Sequence, residues 1–306
     1  MRGLIKRYGD VVALDNFNLD VQQGEIFGLL GPNGSGKSTS INCMLSLLGY
    51  EKGTVHLFGS KMSESNYALK KLIGVVPQDV AVIDELTVEE NINYFCSLYV
   101  PNKAERQQLV DEAIEFVQLQ DFRKYRPKKL SGGLLRRLNI ACGIAHKPKL
   151  IFFDEPTVAV DPQSRNSILE NIKKLNKQGA TIVYTSHYME EVESICDRIL
   201  IMDHGRHVAL GTPQELKDMS SFGEQIQIET IDLSSQVIQQ VEALEDVIDT
   251  QYDGVTLQVK CKHGDHNLLS ILDVLNRNNA SVHRVTTQLP TLNDVFLDLT
   301  GKALRD

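Results

Sequence analysis

Short apolar runs alternate with amphipathic stretches along the first 213 residues. Five runs have the length and composition of buried strands: 25–30, 72–78, 150–155, 181–187 and 198–205. After the first run, the spacing predicts a helix that ends at Gly49 and carries on one face Ile41, Met44, Leu45 and Leu48. This alternation predicts an α/β domain with a mostly parallel sheet covered on both faces.

The segment 87–147 has a different pattern, long and helical and without strand signals, so it predicts a helical subdomain inserted in the α/β core. Its last helix should start near Ser131 and face the core with Leu134, Leu135, Leu138, Ala141, Cys142 and Ala145. Arg136 and Arg137 fall on the other side, and we expect both in solvent.

Beyond residue 217 the chain predicts a second, small α+β domain, so we divide it into domains 1–217 and 218–306. Strands are predicted at 224–231, 246–251, 255–261 and 281–287, and helices at 234–243, 266–278 and 291–300. The order βαββαβ before the terminal helix is that of the ferredoxin-like arrangement.

Charge supports this division. The 306 residues carry a net charge of −8; residues 1–213 hold 25 acidic and 25 basic side chains, and 214–306 hold 15 and 7. The excess of negative charge in the second domain argues against binding of nucleic acid or anionic lipid there, and we expect no nucleic-acid partner.

The five cysteines are far apart and form no CxxC pair, which favours buried thiols in a reducing compartment over disulfides or zinc. No apolar run approaches the roughly 20 residues of a membrane helix, and the N-terminus is too polar for a secretory signal. We therefore expect a cytoplasmic protein that would serve a membrane through another subunit.

The segment GPNGSGKST follows the first strand and opens a helix, which is the context of a phosphate-binding P-loop. Gly31, Gly34 and Gly36 let backbone N–H groups point inward at phosphate oxygens. Lys37 is expected to reach the β- and γ-phosphates, and the Ser38 hydroxyl to ligate Mg²⁺. The loop is completed by Pro32, Asn33, Ser35 and Thr39.

The run LIFFDEP ends in two carboxylates at the C-terminal end of a predicted strand, where open α/β sheets bind ligands. Asp154 is expected to hold Mg²⁺, and Glu155 to act as general base toward an attacking water. About a hundred residues after the P-loop, Ser131, Gly132 and Gly133 open another helix and form a second candidate phosphate contact.

The chain resembles the ATP-binding subunit of an ABC transporter. Six motifs in the order of that family span residues 8–213: the P-loop, Gln78 in VVPQD, LSGGL at 130–134, LIFFDEP, AVD at 159–161 and TSH at 185–187. The resemblance implies a P-loop ATPase core with an antiparallel β subdomain and the helical insertion, and ATP and Mg²⁺ as cofactors.

The resemblance also assigns roles. Gln78 corresponds to the Q-loop glutamine, which senses Mg²⁺ and the γ-phosphate and links to the membrane subunit. His187 corresponds to the switch histidine on the γ-phosphate, and Tyr8 to the aromatic that stacks on adenine. Asp161 corresponds to the D-loop aspartate, although the loop reads Ala159-Val160 where Gly-Leu is commoner.

In the family, the LSGG segment does not contact the ATP of its own chain. Two chains meet head to tail, so Ser131, Gly132 and Gly133 would cap the γ-phosphate on the partner's P-loop in a homodimer with two shared sites. Leu134 stands where the family commonly has Gln, so the hydrogen bond of that Gln is lost.

The tail TLNDVFLDLTGKALRD resembles the end of the drug-exporter branch typified by daunorubicin-resistance ATPases, whose subunits pair with a separate integral-membrane permease. This predicts an ATPase that powers export of a drug-like or lipid-like compound from the inner face of the cell membrane.

Two other classes stay open at this level: a soluble ABC ATPase of translation or DNA maintenance, and a nucleotide-dependent regulatory protein. Translation factors of this type usually carry two ATPase domains, and the chromosome proteins insert a long coiled coil. Here there is one P-loop, and 91 residues separate Thr39 from Ser131.

Overall fold

The computed structural model describes residues 1–262, 264 and 267–301. The chain forms two compact units, one from Met1 to Pro213 and one that begins at Gln214 and holds the remaining described residues. The helix α8 (Pro213–Lys217, named here in chain order) lies at this division. The predicted boundary at residue 217 falls at the end of that helix.

The first unit contains eleven strands and seven α-helices among its described residues. The strands are β1 Arg2–Tyr8, β2 Val11–Phe17, β3 Ile26–Leu30, β4 Lys52–Thr54, β5 His56–Leu57, β6 Ser60–Lys61, β7 Ile73–Val76, β8 Leu150–Asp154, β9 Thr181–Ser186, β10 Arg198–Asp203 and β11 Arg206–Gly211. The helices are α1 Lys37–Met44, α2 Tyr67–Lys70, α3 Val88–Ser97, α4 Lys103–Phe116, α5 Gly132–Ile144, α6 Pro162–Lys177 and α7 Met189–Ile195.

The central sheet has six strands in the order β11-β10-β3-β9-β8-β7. Its pairs are parallel except for the edge pair β10–β11, which confirms the prediction of a mostly parallel sheet. All of β3 and β9 is buried, because helices cover both faces of such a sheet. A separate antiparallel sheet has the order β2-β1-β4 and is the expected antiparallel β subdomain.

The strand order brings four motifs to one edge. Since β3, β9, β8 and β7 are consecutive neighbours and parallel, their carboxyl ends lie side by side. Leu30 pairs with Ser186, and Asp154 pairs with Thr185. The residues that directly follow these strands are therefore the P-loop, His187, Glu155 and the segment that contains Gln78.

The helical insertion is present as α3, α4 and α5, with short 3₁₀ turns at Gln120–Phe122 and Pro127–Lys129. Its first helix starts at a capping box, because the Thr87 side chain accepts from the Glu90 N–H and the Glu90 carboxylate accepts from the Thr87 N–H. In α5 the predicted core face is buried or half-buried.

Two expectations are wrong. Arg136 is not in solvent: it is 7% exposed and donates to backbone carbonyls, which its long side chain reaches from the polar side of α5. Arg137 is half-buried. The helix α1 ends at Met44 instead of near Gly49, because Ser46 takes a positive φ of 54°. The N–H groups of Leu47 and Leu48 then both donate to the Asn42 carbonyl.

The second unit has the expected ferredoxin-like order. It consists of β12 Glu224–Thr230, α9 Ser235–Glu242, β13 Val247–Tyr252, β14 Thr256–Cys261, α10 Asn267–Arg277, β15 Val282–Gln288 and α11 Leu292–Thr300. The sheet order is β13-β14-β12-β15 with antiparallel pairing throughout. Alternate residues of β12 and β14, such as Ile226 and Val259, pack against α9 and α10 in a core of their own. The predicted strand 281–287 and the predicted helix end at 278 each differ by one residue from those found. The predicted helix start at 266 lies outside the described residues, as do 263, 265 and 302–306.

All five cysteines are free and buried, as expected. Within the ranges that the structure describes, no helix combines the length and the apolar character that crossing a bilayer requires.

A chain truncated after Lys217 should fold and keep its affinity for nucleotide, because every motif predicted to contact nucleotide lies in the first unit. A chain truncated after Asp203 is the matched control: it lacks β11, an edge strand of the central sheet, and should unfold at lower urea concentration. Urea unfolding and fluorescent-ATP titration measure both effects. A folded 1–217 chain without nucleotide affinity would contradict the domain division.

Candidate functional site

The P-loop is shaped by positions where a side chain has no room. Gly36 has φ 106°, and a Cβ there would lie 2.7 Å from the Ala13 carbonyl oxygen. A Cβ on Gly31 would lie 2.3 Å from the Met202 carbonyl oxygen. The Gly205 N–H donates to the Ser35 carbonyl at 2.9 Å and ties the loop to the turn after β10. The loop backbone is therefore packed against the backbone of Ala13, Met202 and Gly205.

The Lys37 ammonium sits at the centre of the site. It is 3.1 Å from Glu155 Oε1, with both side chains about 95% buried, and it donates to the carbonyls of Gly31 (2.7 Å) and Pro32 (3.2 Å). A buried charge needs such partners because desolvation penalises it strongly. The structure thus joins the predicted phosphate-binding lysine and the predicted base directly.

Glu155 is held in an unusual backbone conformation, with φ 45°. Its N–H donates to Thr185 Oγ1 at 3.0 Å, and Thr185 Oγ1 donates in turn to Asp154 Oδ1 at 2.6 Å. A non-glycine residue in this region is strained, and such strain is concentrated at functional sites. Thr185 therefore holds the Asp154 carboxylate and the Glu155 backbone, although the motifs gave it no role.

His187 contacts the same carboxylate: its Nδ1 lies 3.1 Å from Glu155 Oε2. The histidine ring lies against Tyr188 (centroids 4.1 Å apart), and the Arg165 guanidinium lies 4.6 Å from the centre of the Tyr188 ring. Glu155 thus lies between Lys37 and His187, so the three predicted catalytic residues form one contiguous group.

A buried carboxylate, Glu191, supports the histidine segment. Its Oε2 accepts from Thr157 Oγ1 (2.8 Å), the Tyr184 hydroxyl (2.7 Å) and Ser186 Oγ (3.0 Å). Arg165 Nε lies 3.3 Å from Oε1. Burial, followed by the Glu191 charge, raises the pKa of Tyr184 well above its usual value, so this tyrosine remains a donor. The network joins β9, α6 and α7 directly beneath His187.

The residues fit a nucleoside triphosphate with a divalent cation. The Ser35 hydroxyl is buried and has no partner in the described structure, in a loop where a Cβ on the neighbouring Gly34 would meet open space. Asp154, Ser38 and Gln78 offer the oxygen ligands that Mg²⁺ prefers. Ser38 and Thr39 are half-buried at the start of α1.

The remaining residues predicted to contact nucleotide are exposed or half-buried. Gln78 is exposed, just after β7. Tyr8 ends β1, is 48% exposed, and has the Lys6 ammonium 5.1 Å from its ring centre. Its ring is accessible to a base. Pro32 is half-buried, and Asn33 and Gly34 are exposed.

The LSGG segment lies at the N-terminal end of α5, in the helical insertion. Ser131 caps α5 and, like Gly132, is exposed. Gly133 is buried: a Cβ there would lie 2.5 Å from Ser164 Oγ and 3.4 Å from Asp161 Oδ2. In the described parts of the chain, no hydrogen bond or ion pair joins these three residues to the P-loop.

The substitution of Ala159 for the commoner glycine in the D-loop has a conformational consequence. Ala159 has φ 58°, a conformation that glycine adopts without a Cβ penalty. Asp161 caps α6, with Oδ1 accepting from the Ser164 N–H at 2.9 Å. The loop keeps its cap, while Ala159 carries the strain that the commoner glycine avoids.

Sequence reasoning missed Thr185, Glu191, Arg165 and Arg136. Their signals were weak, because a threonine in a strand and a glutamate in an acidic helix turn are ordinary residues at those positions. Only the strand pairing of β8 with β9 shows that Thr185 stands beside Asp154.

Two family models match the chain. The ABC transporter model covers residues 14–158, and the model of the C-terminal domain of DrrA1-3-like ATP-binding proteins covers residues 211–300. These ranges fall respectively on the site-bearing unit and on the ferredoxin-like unit with its terminal helix.

Relatives of similar length are found among curated proteins. The linearmycin resistance ATP-binding protein LnrL of Bacillus subtilis is 36% identical over 98% of this chain and 97% of its own length. The Nod factor export ATP-binding protein I of Cupriavidus metallidurans is 34% identical over 100% and 98%. A solved ATP-binding cassette, dimeric and bound to ADP and Pi, is 29% identical with a TM-score of 0.63, covering 69% of this chain and 97% of that chain.

Glu191→Gln should lower the free energy of unfolding by about 2 kcal/mol, because the negative charge that strengthens three buried hydrogen bonds is removed and Arg165 keeps no carboxylate partner there. The control is Glu170→Gln, which removes an exposed ion pair with Lys173 on α6 and should cost at most about 1 kcal/mol. Urea denaturation of both variants measures the difference. Equal, small effects would contradict the supporting role assigned to Glu191.

Proposed function

Because this chain belongs to the ABC transporter family of ATP-binding proteins, we propose that it hydrolyses ATP to power export through a separate membrane permease. The observation that carries the proposal is the contiguous group of Lys37, Glu155 and His187 at the carboxyl edge of the sheet. It offers a phosphate-binding cation, a general base and a γ-phosphate sensor within one small region.

The transported compound is proposed to be drug-like or lipid-like. Support comes from the full-length relatives, one named for linearmycin resistance and others for Nod factor export, and from the matching C-terminal domain. The same relatives favour export over the two soluble classes that the sequence left open. They also support a location on the inner face of the cell membrane.

In the proposed reaction, Lys37 leaves Glu155 for the β- and γ-phosphate oxygens, since phosphate offers it a charge-assisted bond. Glu155 is then available to take a proton from the attacking water, with His187 beside it. The water oxygen bonds to the γ-phosphorus as the bond from that phosphorus to the bridging oxygen breaks, and this oxygen leaves with ADP. Bound Mg²⁺ would supply charge neutralisation on the phosphates, held by Ser38, Gln78 and Asp154. Thr185 keeps Asp154 oriented for that task.

We further propose a head-to-tail homodimer with two shared sites. The exposed positions of Ser131 and Gly132, and the lack of bonds to their own P-loop in the described structure, support a contact with another chain. The fold is also that of a cassette solved as a dimer. Asp161 and Gly133 adjoin within one chain, so the D-loop would meet the same interface.

Glu155→Gln should leave ATP binding intact and slow hydrolysis by about 10²–10⁴-fold, because it removes the base but none of the phosphate contacts. ATP should then accumulate in a closed dimer, visible by size-exclusion chromatography. Glu170→Gln, an exposed carboxylate on α6, is the control and should hydrolyse ATP normally. Near-normal turnover of Glu155→Gln would remove Glu155 from the catalytic role.

A mixing experiment tests the shared sites. Lys37→Ala and Ser131→Arg chains should each be inactive as homodimers, since both of their sites are damaged. In the mixed dimer, one site joins the two damaged segments and the other joins an intact P-loop to an intact LSGG segment. Mixing should therefore restore ATP-dependent closure or hydrolysis, up to what one site supports.

If each chain used both of its own segments on one ATP, mixing would restore nothing. Closure is measured beside hydrolysis, because turnover could require two intact sites. Absence of recovery in both assays, with mixed dimers demonstrated by differently tagged chains, would exclude shared sites.

A further inference from the structure

The connector between β7 and α3, residues 77–87, carries Gln78 and is held by side chains of the helical insertion. Arg136 Nη1 donates to the Gln78 carbonyl at 2.7 Å and to the Pro77 carbonyl at 3.3 Å. Asn139 Nδ2 donates to the Pro77 carbonyl at 3.2 Å, and Asn139 Oδ1 accepts from the Ala81 N–H at 3.0 Å. Two side chains of α5 thus hold three peptide units of the connector.

The other end of the connector is fixed by Asn91 of α3. Its Oδ1 accepts from the Ile83 N–H at 2.7 Å, and its Nδ2 donates to the carbonyls of Ile83 (3.0 Å) and Leu86 (3.1 Å). Asn91 is fully buried. The connector therefore has little freedom to move independently of the helical insertion.

The Arg136 and Asn139 side chains that make these contacts are shielded from solvent. Arg136 is 7% exposed and Asn139 is 2% exposed, so a lost partner would leave a buried polar group unsatisfied. Burial lowers the pKa of the Arg136 guanidinium, and the nearby Asp79 carboxylate raises it. Residues three apart share one face of a helix, which lets Arg136 and Asn139 contact the same stretch of backbone.

The helix that holds Gln78 is also the helix that presents the LSGG segment. Arg136 lies five residues after Ser131, or about 7.5 Å along the axis of α5. An α-helix transmits a displacement over one and a half turns almost rigidly. A shift at Ser131 therefore reaches the Gln78 carbonyl through a single hydrogen-bonded step.

We propose that Arg136 and Asn139 are positioning residues that couple the Q-loop to the LSGG segment of the same chain. In the head-to-tail dimer, on whose existence this inference rests, Gln78 serves one nucleotide site and Ser131–Gly133 serve the other. The linkage makes the two sites communicate: docking of LSGG on the partner's ATP sets the position of Gln78 at its own chain's ATP. ATP-driven closure is then cooperative.

The test uses the full-length chain carrying Glu155→Gln, which should form a stable ATP dimer. Arg136→Gln and Asn139→Ala are each added, with Arg137→Gln as the matched control and Arg136→Lys as the conservative variant. Arg137 follows Arg136 on α5, and its Nε makes no hydrogen bond in the described structure. Thermal unfolding verifies that every variant is folded at the assay temperature.

Hydrogen exchange in peptides covering 77–87 and the ATP dependence of dimerisation are the two readouts. Arg136→Gln and Asn139→Ala should speed exchange, at the Ala81 amide above all for Asn139→Ala, and raise the ATP concentration for half-dimerisation about tenfold. The dimerisation curve should also become less steep. ATP affinity of the monomer without Mg²⁺ should not change, and Arg136→Lys should recover part of the effect.

A merely structural role would lower thermal stability and speed exchange without changing the dimerisation curve, and that result overturns the inference. Unchanged exchange in both variants overturns it as well, since the contacts would then not hold the connector. If the Glu155→Gln chain itself forms no dimer with ATP, the proposed shared-site function fails, and the inference fails with it. A dimer that forms normally in Arg136→Gln and Asn139→Ala defeats the inference alone.

Discussion

The Lys37 ammonium and the Glu155 carboxylate are removed from water together, 3.1 Å apart. Neither charge could be buried alone, because desolvation of an unpaired ion costs several kcal/mol. The Gly31 and Pro32 carbonyls and His187 Nδ1 complete their surroundings. In the proposed reaction, a phosphate oxygen that binds the lysine would free the carboxylate to accept a proton. ATP binding and activation of the base would then be linked by one interaction.

Sheet topology makes this pairing possible. Lys37 and Glu155 are 118 residues apart in the chain, and β9 lies between the strands that precede them. Only a parallel arrangement places the ends of β3, β9 and β8 at the same edge. The buried network of Glu191 then fixes the segment after β9, so the histidine meets the carboxylate at 3.1 Å. The order and direction of the strands therefore bring the site residues together, and the loops only adjust their positions.

The sequence predicted the strands and the ferredoxin-like order well, because hydrophobic periodicity is a local signal. The roles of the motif residues, found from glycine spacing and motif order, stay predictions. It failed where a side chain acts on a distant backbone. Arg136 looks like a solvent residue by helical position, and only the nearness of residues 77 and 78 in the fold gives it buried acceptors. The early end of α1 depends on the positive φ of Ser46. The pattern of polar and apolar residues around Ser46 does not predict that conformation. Thr185 and Glu191 acquire partners through strand pairing and helix packing.

The two segments proposed to bind phosphate differ in their exposure. The P-loop packs against the first unit, and its Ser35 and Lys37 side chains are buried. Ser131 and Gly132, at the start of α5, are exposed. A single-chain site would need both segments to face one ligand, and the exposed segment is instead fixed by Gly133 against Asp161 and Ser164. Gly133 has no room for a Cβ there, so the start of α5 packs closely on the start of α6. In the proposed head-to-tail dimer, such a chain contributes two half-sites, and hydrolysis would depend on assembly.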